Sequence, residues 1–256
     1  MPGSSGDAQR LAAHPAIVTG GAAGIGAAVA RRLAQEGAGV VVVDVSGAGH
    51  DVVASIEESG DAAVFVRADV RSEDEWRRIV AVARERFGPI QVLINNAADY
   101  EVRAAHDLSA VEWAVQLEAC LTTAFLGVRA CLPDLLVTGG SVVMVSSVHA
   151  HVGLPGHPAY AAAKAGLLAL ARQLAVEYGP AVRVNAVTPG PILTPRWDGL
   201  DLDARRASAA ATALSRLGSP EEVAAAVAFL ASSDASYVTG SELRVDGGWS
   251  ITKSSS

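Results

Sequence analysis

Tyr160 and Lys164 stand four residues apart in an alanine-rich stretch, and Ser147 lies thirteen residues before the tyrosine. Residues i and i+4 of a helix share a face, so the ammonium would sit beside the phenol and favour its ionised form. A phenol titrates near pKa ~10, and bringing it to about 7 takes roughly 4 kcal/mol of differential stabilisation, which a cation in a dry pocket, assisted by a charged cofactor ring, supplies. A hydroxyl donor and an acid of tuned pKa converging on one oxygen is what interconversion of an alcohol and a carbonyl requires. Such a pair also occurs by chance on structural helices, so its meaning depends on the elements around it.

The first of those elements is a short apolar run, 16–18, leading into Thr19-Gly20-Gly21-Ala22-Ala23-Gly24-Ile25-Gly26 and then a helix to about Glu36. Glycines let a backbone turn sharply and approach a diphosphate, and the free amides and dipole of a helix start favour its charge. The run Val40-Val41-Val42-Val43 ends in Asp44, eighteen residues beyond Gly26, where a carboxylate can accept hydrogen bonds from an adenosine ribose. Asp44 would repel a ribose 2′-phosphate, and Val45-Ser46 offers no arginine to hold one, so NAD is expected rather than NADP.

At 256 residues, half of them hydrophobic and only 18% charged, the chain can bury one large core. A net charge of −7 without clustered Lys or Arg argues against a nucleic-acid partner. No membrane association is expected, since no apolar run is read as reaching a span, and the polar start does not resemble a signal peptide. The expected location is cytoplasmic. Cys120 and Cys131, eleven apart in one helical stretch, suggest neither a disulfide framework nor a metal site.

Strand-like runs at 16–18, 40–43, 63–67, 91–95, 141–146, 182–187 and 241–245 alternate with amphipathic segments, which predicts a single-domain α/β fold: a doubly wound Rossmann sheet of seven parallel strands with helices on both faces. The domain is expected over 11–250, with loose tails at 1–10 and 251–256. Ligands of such sheets bind outside the carboxyl ends of the strands. Asp44, Asp69, Asn95-Asn96-Ala97, Ser146-Ser147 and Thr188-Pro189-Gly190 all fall there. Each alone reads as a turn former; the five together read as a site.

With these motifs placed, the chain resembles the short-chain dehydrogenase/reductase family over 15–249. The resemblance makes Thr19, Gly20, Gly24, Ile25 and Gly26 the cofactor turn, Asp69 and Val70 the adenine contact, and Asn96 and Ala97 part of the segment steadying the central strand beside the cofactor. Pro189, Gly190, Ile192 and Thr194 match the stretch that contacts the nicotinamide amide. It implies that Tyr160 exchanges the proton with the substrate oxygen, that Lys164 lowers its pKa and holds the nicotinamide ribose, and that Ser147 orients the substrate. It also implies a homotetramer, in keeping with the small apolar surface of 160–178.

Two positions depart from the family pattern. Ala98 stands where a glycine is usual, adding a methyl beside the cofactor. Cys120, within a helix at 113–128, aligns with the family's catalytic asparagine, which helps hold a water and the lysine in a proton relay, partly through its backbone carbonyl. Cys120 reads either as a small packing residue or as a redox-active thiol.

The substrate side is assigned by proximity to the motif ends: Asp99, Tyr100, His149, His151, His157, Arg196 and Trp197. His149 and His151 read as binders of substrate hydroxyls or as surface residues, and His157 as a turn residue. Arg196 reads as a partner for a substrate carboxylate or as a solvated arginine. The segment 191–217 is expected to form a lid. The reaction expected is NAD-dependent oxidation of a sugar, polyol or hydroxy acid. The alternatives are an NADPH-dependent 3-oxoacyl carrier-protein reductase, a ketoreductase of secondary metabolism, and a non-catalytic cofactor-binding regulator or scaffold.

Overall fold

The computed structural model describes residues 9–199 and 201–252. Seven strands, β1 (Ala16–Thr19), β2 (Val40–Asp44), β3 (Ala63–Arg67), β4 (Val92–Asn95), β5 (Ser141–Val145), β6 (Arg183–Pro189) and β7 (Glu242–Val245), pair throughout in parallel in the order β3-β2-β1-β4-β5-β6-β7. Each expected strand is present, within two residues at either end. The order reverses between β1 and β4, and their diverging ends open the crevice that such sheets use for ligands.

The strands read as continuous Val, Ile and Leu because both faces are covered. On one face α1 (Gly24–Gln35) and α2 (Gly49–Glu58) bury Leu33 and Val52 against the β1 and β2 side of the sheet, and α8 (Pro220–Ala231) buries Val223 and Val227 against α1 and the β5 and β6 side. On the other, α3 (Glu73–Phe87), α5 (Thr123–Thr138) and α6 (Pro158–Tyr178) bury Trp76, Ile79, Leu135 and Leu167 against the same sheet. Trp76 is keyed in twice: its indole Nε1 donates to the Val70 carbonyl at 2.9 Å, and its ring fills the space left by Gly127, where a Cβ would come within 2.7 Å of it.

Two expectations are corrected. The N-terminal tail was expected to run to residue 10, but Arg10 donates to Glu36 and to Asp234, tying the chain start to α1 and the end of α8. The rest of 1–10 lies outside the described residues, except Gln9. At the other end Trp249–Ile251 forms a turn and Thr252 donates to the Ala211 carbonyl, while 253–256 lie outside the described residues. Second, the helix expected over 113–128 is a much longer element: α4 (Ala110–Leu117), a π-helical turn (Glu118–Thr122) and α5 run on as one helix from Ala110 to Thr138. Its length of 29 residues and mean hydropathy of 1.5 over its most apolar window suit a membrane span by composition alone, contrary to the expectation of no such run, but half of that window is buried in the fold.

Replacing Trp76 by Ala leaves a cavity and an orphaned carbonyl under the sheet. The expected loss is about 3–5 kcal/mol, read as a lowered denaturant midpoint at fixed protein concentration.

Candidate active site

The cofactor half of the site is built around one hydroxyl. Thr19 Oγ1 donates to the Ile94 carbonyl at 3.2 Å and accepts the amides of Asn96 and Ala97 at 3.0 and 3.1 Å. Asn96 Nδ2 in turn donates to the Thr19 and Gly20 carbonyls at 2.9 and 3.0 Å. Thr19 is therefore buried beneath the turn and lines neither cavity; within the expected cofactor turn it sets the turn's position. Gly20 adopts φ +63°, and a Cβ there would lie 2.9 Å from the Ala97 Cα. At Gly26 a Cβ would stand 2.0 Å from the Gly20 carbonyl oxygen, so the helix start closes onto the turn only with glycine. Ala23, at the N-cap of α1, gives no side-chain cap, which leaves first-turn amides for an anion. These features fit a dinucleotide diphosphate.

Two cavities flank the turn. The smaller, of about 170 Å³, is lined by Gly20, Asp44, Asp69, Val70, Ala97, Ala98 and Asp99, among others. Asp44 accepts the Ala22 amide at 3.0 Å and the Ser46 amide at 2.9 Å, so its carboxylate is fixed at the rim. Asp69 is gripped by Arg71, whose guanidinium holds its carboxyl below the usual carboxylate range. Asp99, expected on the substrate side, lines this cavity instead. The strand register adds a residue that the sequence reading missed: Arg67 pairs with Asp44 across β2 and β3, and its Nε donates to the Val45 carbonyl at 2.9 Å.

The larger cavity, about 560 Å³, shares Ala98 in its wall with the first. It brings together Gly24, Ile25, Gly26, Asn96, Ser147, Tyr160, Lys164, Pro189, Gly190, Ile192 and Thr194, with His149, Arg196 and Trp197 at the substrate end. Leu154, Ser208 and Trp249 also line it; they are far apart in sequence and carry no motif, and only the fold reveals them. His151 does not line it. Its Nε2 lies 2.7 Å from Glu242 Oε1, so it ties its loop to β7 and is removed from the substrate residues. His157 fulfils its expected turn role, Nδ1 meeting the Pro155 carbonyl at 2.9 Å. The expected lid has a fixed stem, since Ile192 and Gly218 form a β-bridge, and between them α7 (Leu202–Ala210) buries no side chain. Leu200 lies outside the described residues.

Tyr160 and Lys164 lie one turn apart on the buried face of α6, which Pro158 starts and Ser146 ties to β5 by donating to the Lys164 carbonyl at 2.8 Å. Lys164 Nζ donates to the Val145 carbonyl at 2.8 Å and stands 5.5 Å from the Tyr160 ring centre. The sequence reading expected Lys164 to depress the phenol's pKa. In the structure burial pushes it up, with Tyr100 adding to the rise, while the Ser147 hydrogen bond and Arg196 act in the opposite direction. Burial likewise lowers the Lys164 ammonium. Tyr100 stacks on Tyr160 with ring centres 3.9 Å apart, and the Arg196 guanidinium lies 3.9 Å from the Tyr100 ring centre on its own side.

Cys120 sits in the π turn and is buried, its thiol donating to the Asp99 carbonyl at 3.2 Å. Burial raises its pKa, as it does for Cys131; both thiols are free. The packing reading of Cys120 fits this environment and the redox reading does not. Among the described residues no three His, Cys, Asp or Glu side chains converge as a metal site.

A family model described as enoyl-(acyl carrier protein) reductase matches residues 20–250. The chain is 43% identical over 244 residues to a cis-4-hydroxycyclohexanecarboxylate dehydrogenase of Sinomonas cyclohexanicum, covering 94% of this chain and 98% of that one. It is 36% identical over 247 residues to a 2,5-dichloro-2,5-cyclohexadiene-1,4-diol dehydrogenase of Sphingobium indicum, covering 95% and 99%. To glucose 1-dehydrogenase 2 of Bacillus subtilis it is 37% identical over 249 residues, covering 94% and 96%. The chain belongs to the short-chain dehydrogenase/reductase family, as its motifs implied, and it is an oxidoreductase of the alcohol–carbonyl class that uses a nicotinamide cofactor.

His149 gives a test of the site's dryness. Its ring stands 5.2 Å from Tyr160 and 4.6 Å from His157, its Nδ1 is buried without a partner, and burial, then His157, hold its pKa down to about 4. The unfolded chain takes up this proton near pH ~6.5 and the folded protein only near 4. Stability is therefore full above pH ~6.5 and falls as pH drops towards 4. Denaturant midpoints across that window should decline in the native protein and flatten in His149→Gln.

Proposed function

We propose that this protein oxidises a secondary alcohol borne on a small ring, with NAD as the hydride acceptor and Tyr160 as the acid/base. The observation that carries the reading is the convergence of Ser147, Tyr160 and Lys164 on the wall of the cavity that the glycine turn also lines. When bound, the nicotinamide supplies the acceptor for the hydride leaving the substrate carbon and, in its oxidised form, a positive charge beside Tyr160. Ser147 holds the substrate oxygen by hydrogen bonding. Tyr160 takes the hydroxyl proton as the carbonyl forms. Lys164, whose Nζ stands 5.5 Å from the Tyr160 ring centre, would hold the nicotinamide ribose of a bound cofactor and would favour the phenolate that the buried pocket by itself disfavours.

Asp44 supports NAD over NADP. Its carboxylate is anchored by the Ala22 and Ser46 amides at the rim of the smaller cavity, where it would accept from an adenosine ribose and would repel a 2′-phosphate. The ring-alcohol reading draws on relatives named for a hydroxycyclohexanecarboxylate and a cyclohexadiene diol, and on the aromatic walls formed by Tyr100, Trp197 and Trp249.

The same reading covers assembly and location. Val111, Phe125, Val137 and Val176 are exposed on α4, α5 and α6, and the packing of these helices against partner subunits in a homotetramer would cover them. Two free, buried thiols suit a reducing cytoplasm.

Tyr160→Phe should lower kcat by on the order of 10²–10⁴ while nicotinamide binding persists. Reduced-nicotinamide absorbance with ring alcohols and fluorescence titration of the cofactor separate the two effects. Asp44→Ser should weaken NAD and strengthen NADP in the same titration, because Arg67 then stands near the 2′-phosphate without an opposing carboxylate.

A further inference from the structure

We infer that the substrate carries an anionic group, a carboxylate in the simplest case, and that Arg196 binds it at the outer end of the cavity. The inference rests on the dehydrogenase reading and names the substrate class that reading leaves open.

Three observations lead to it. The chain carries a net charge of −7, yet among the described residues the walls of the large cavity hold two cations, Lys164 and Arg196, and no Asp or Glu. Of the two, Lys164 is buried and already donates to the Val145 carbonyl. Arg196 is differently placed. Arg71, Arg84, Arg103 and Arg216 each grip a carboxylate, whereas the Arg196 side chain has no ion pair or side-chain hydrogen bond among the described residues. Its contact is the face of Tyr100, which leaves the guanidinium edge and its planar fork of donors for a ligand.

The order of the groups sets the rest of the molecule. Tyr100 lies between Arg196 and Tyr160, so the cation and the reacting phenol are separated by one stacked ring. A substrate with its hydroxyl at Tyr160 and Ser147 and its anion at Arg196 carries a spacer of similar size along the Tyr100 edge. Leu154, Trp197 and Trp249 also line the cavity, beside the polar His149 and Ser208. A neutral sugar or polyol gives the guanidinium no charge to pair with, whereas a hydroxy acid does. Among the sugar, polyol and hydroxy acid that the sequence leaves open, the structure selects the hydroxy acid, with a bidentate guanidinium–carboxylate pair as its anchor.

The test is binding to the full protein with NAD present, read by tryptophan fluorescence because Trp197 and Trp249 line the cavity. The probes are cyclohexanecarboxylate and the isosteric cyclohexanecarboxamide, neither of which bears a hydroxyl to oxidise. The native protein should favour the carboxylate by on the order of 10–100-fold. Arg196→Gln should remove most of that preference while leaving the carboxamide affinity nearly unchanged, and Arg196→Lys should restore part of it. Equal affinity for the two probes in the native protein, or a preference that survives in Arg196→Gln, overturns the assignment. Oxidation of a hydroxycyclohexanecarboxylate, which carries both the hydroxyl and the anion, by the same native preparation reports separately on the dehydrogenase reading. Turnover without charge preference defeats the Arg196 assignment alone, and charge preference without turnover upholds it while defeating the reading on which it was built.

Discussion

The fold places its site through the Thr19 hydroxyl. One oxygen donates to β4 and receives two amides from the segment that follows it, so the ends of β1 and β4 are fixed to each other at the point where the sheet order reverses. Asn96 completes the clamp from the opposite side by binding the carbonyls of the turn itself. The glycines then have a defined path to follow, α1 starts where an anion can meet its amides, and Ala98 becomes the common wall of both cavities. A buried network of this kind is worth its cost only when each polar group has a partner, and here the three groups are paired with backbone.

Around Tyr160 the structure follows the opposite course and withholds water. Tyr100, His149 and His157 enclose the phenol with aromatic faces and edges, and Arg196 closes the stack. Burial makes charge on the phenol unfavourable, yet the same low dielectric strengthens each interaction with a cation brought beside it. The ammonium, the guanidinium and a cofactor ring thus act on a group that is otherwise held neutral, and its ionisation becomes conditional on what fills the cavity. His149, kept neutral by the same burial, can hydrogen-bond there without adding charge.

Much of this arrangement was legible in the sequence because parallel strands buried on both faces appear as unbroken apolar runs, and because such sheets place chemistry at the strand ends. Asp44 and Ser147 were found that way, and Tyr160 and Lys164 by their spacing on one helix face. What stayed hidden depended on partners distant along the chain. Nothing near His151 marks Glu242 as its partner, and Arg67 meets the Asp44 turn only through the pairing of β2 with β3. Leu154, Ser208 and Trp249 reach the cavity from three separate segments without any local signature. The continuity of the helix from Ala110 to Thr138 was hidden as well, since a π turn is not a periodicity that apolar spacing reveals.

That π turn also explains how the chain accommodates Cys120. A wide turn changes which backbone carbonyls are engaged: Thr123 donates its amide to Glu118 and its hydroxyl to Ala119 at 3.1 Å, so the helix re-satisfies itself around the insertion. The resulting backbone shape does not depend on a carboxamide at position 120. The thiol still donates to the Asp99 carbonyl and so still links this helix to the segment after β4, though by a weaker bond than an amide would make. What the cysteine gives up is a second donor and an acceptor inside the cavity wall.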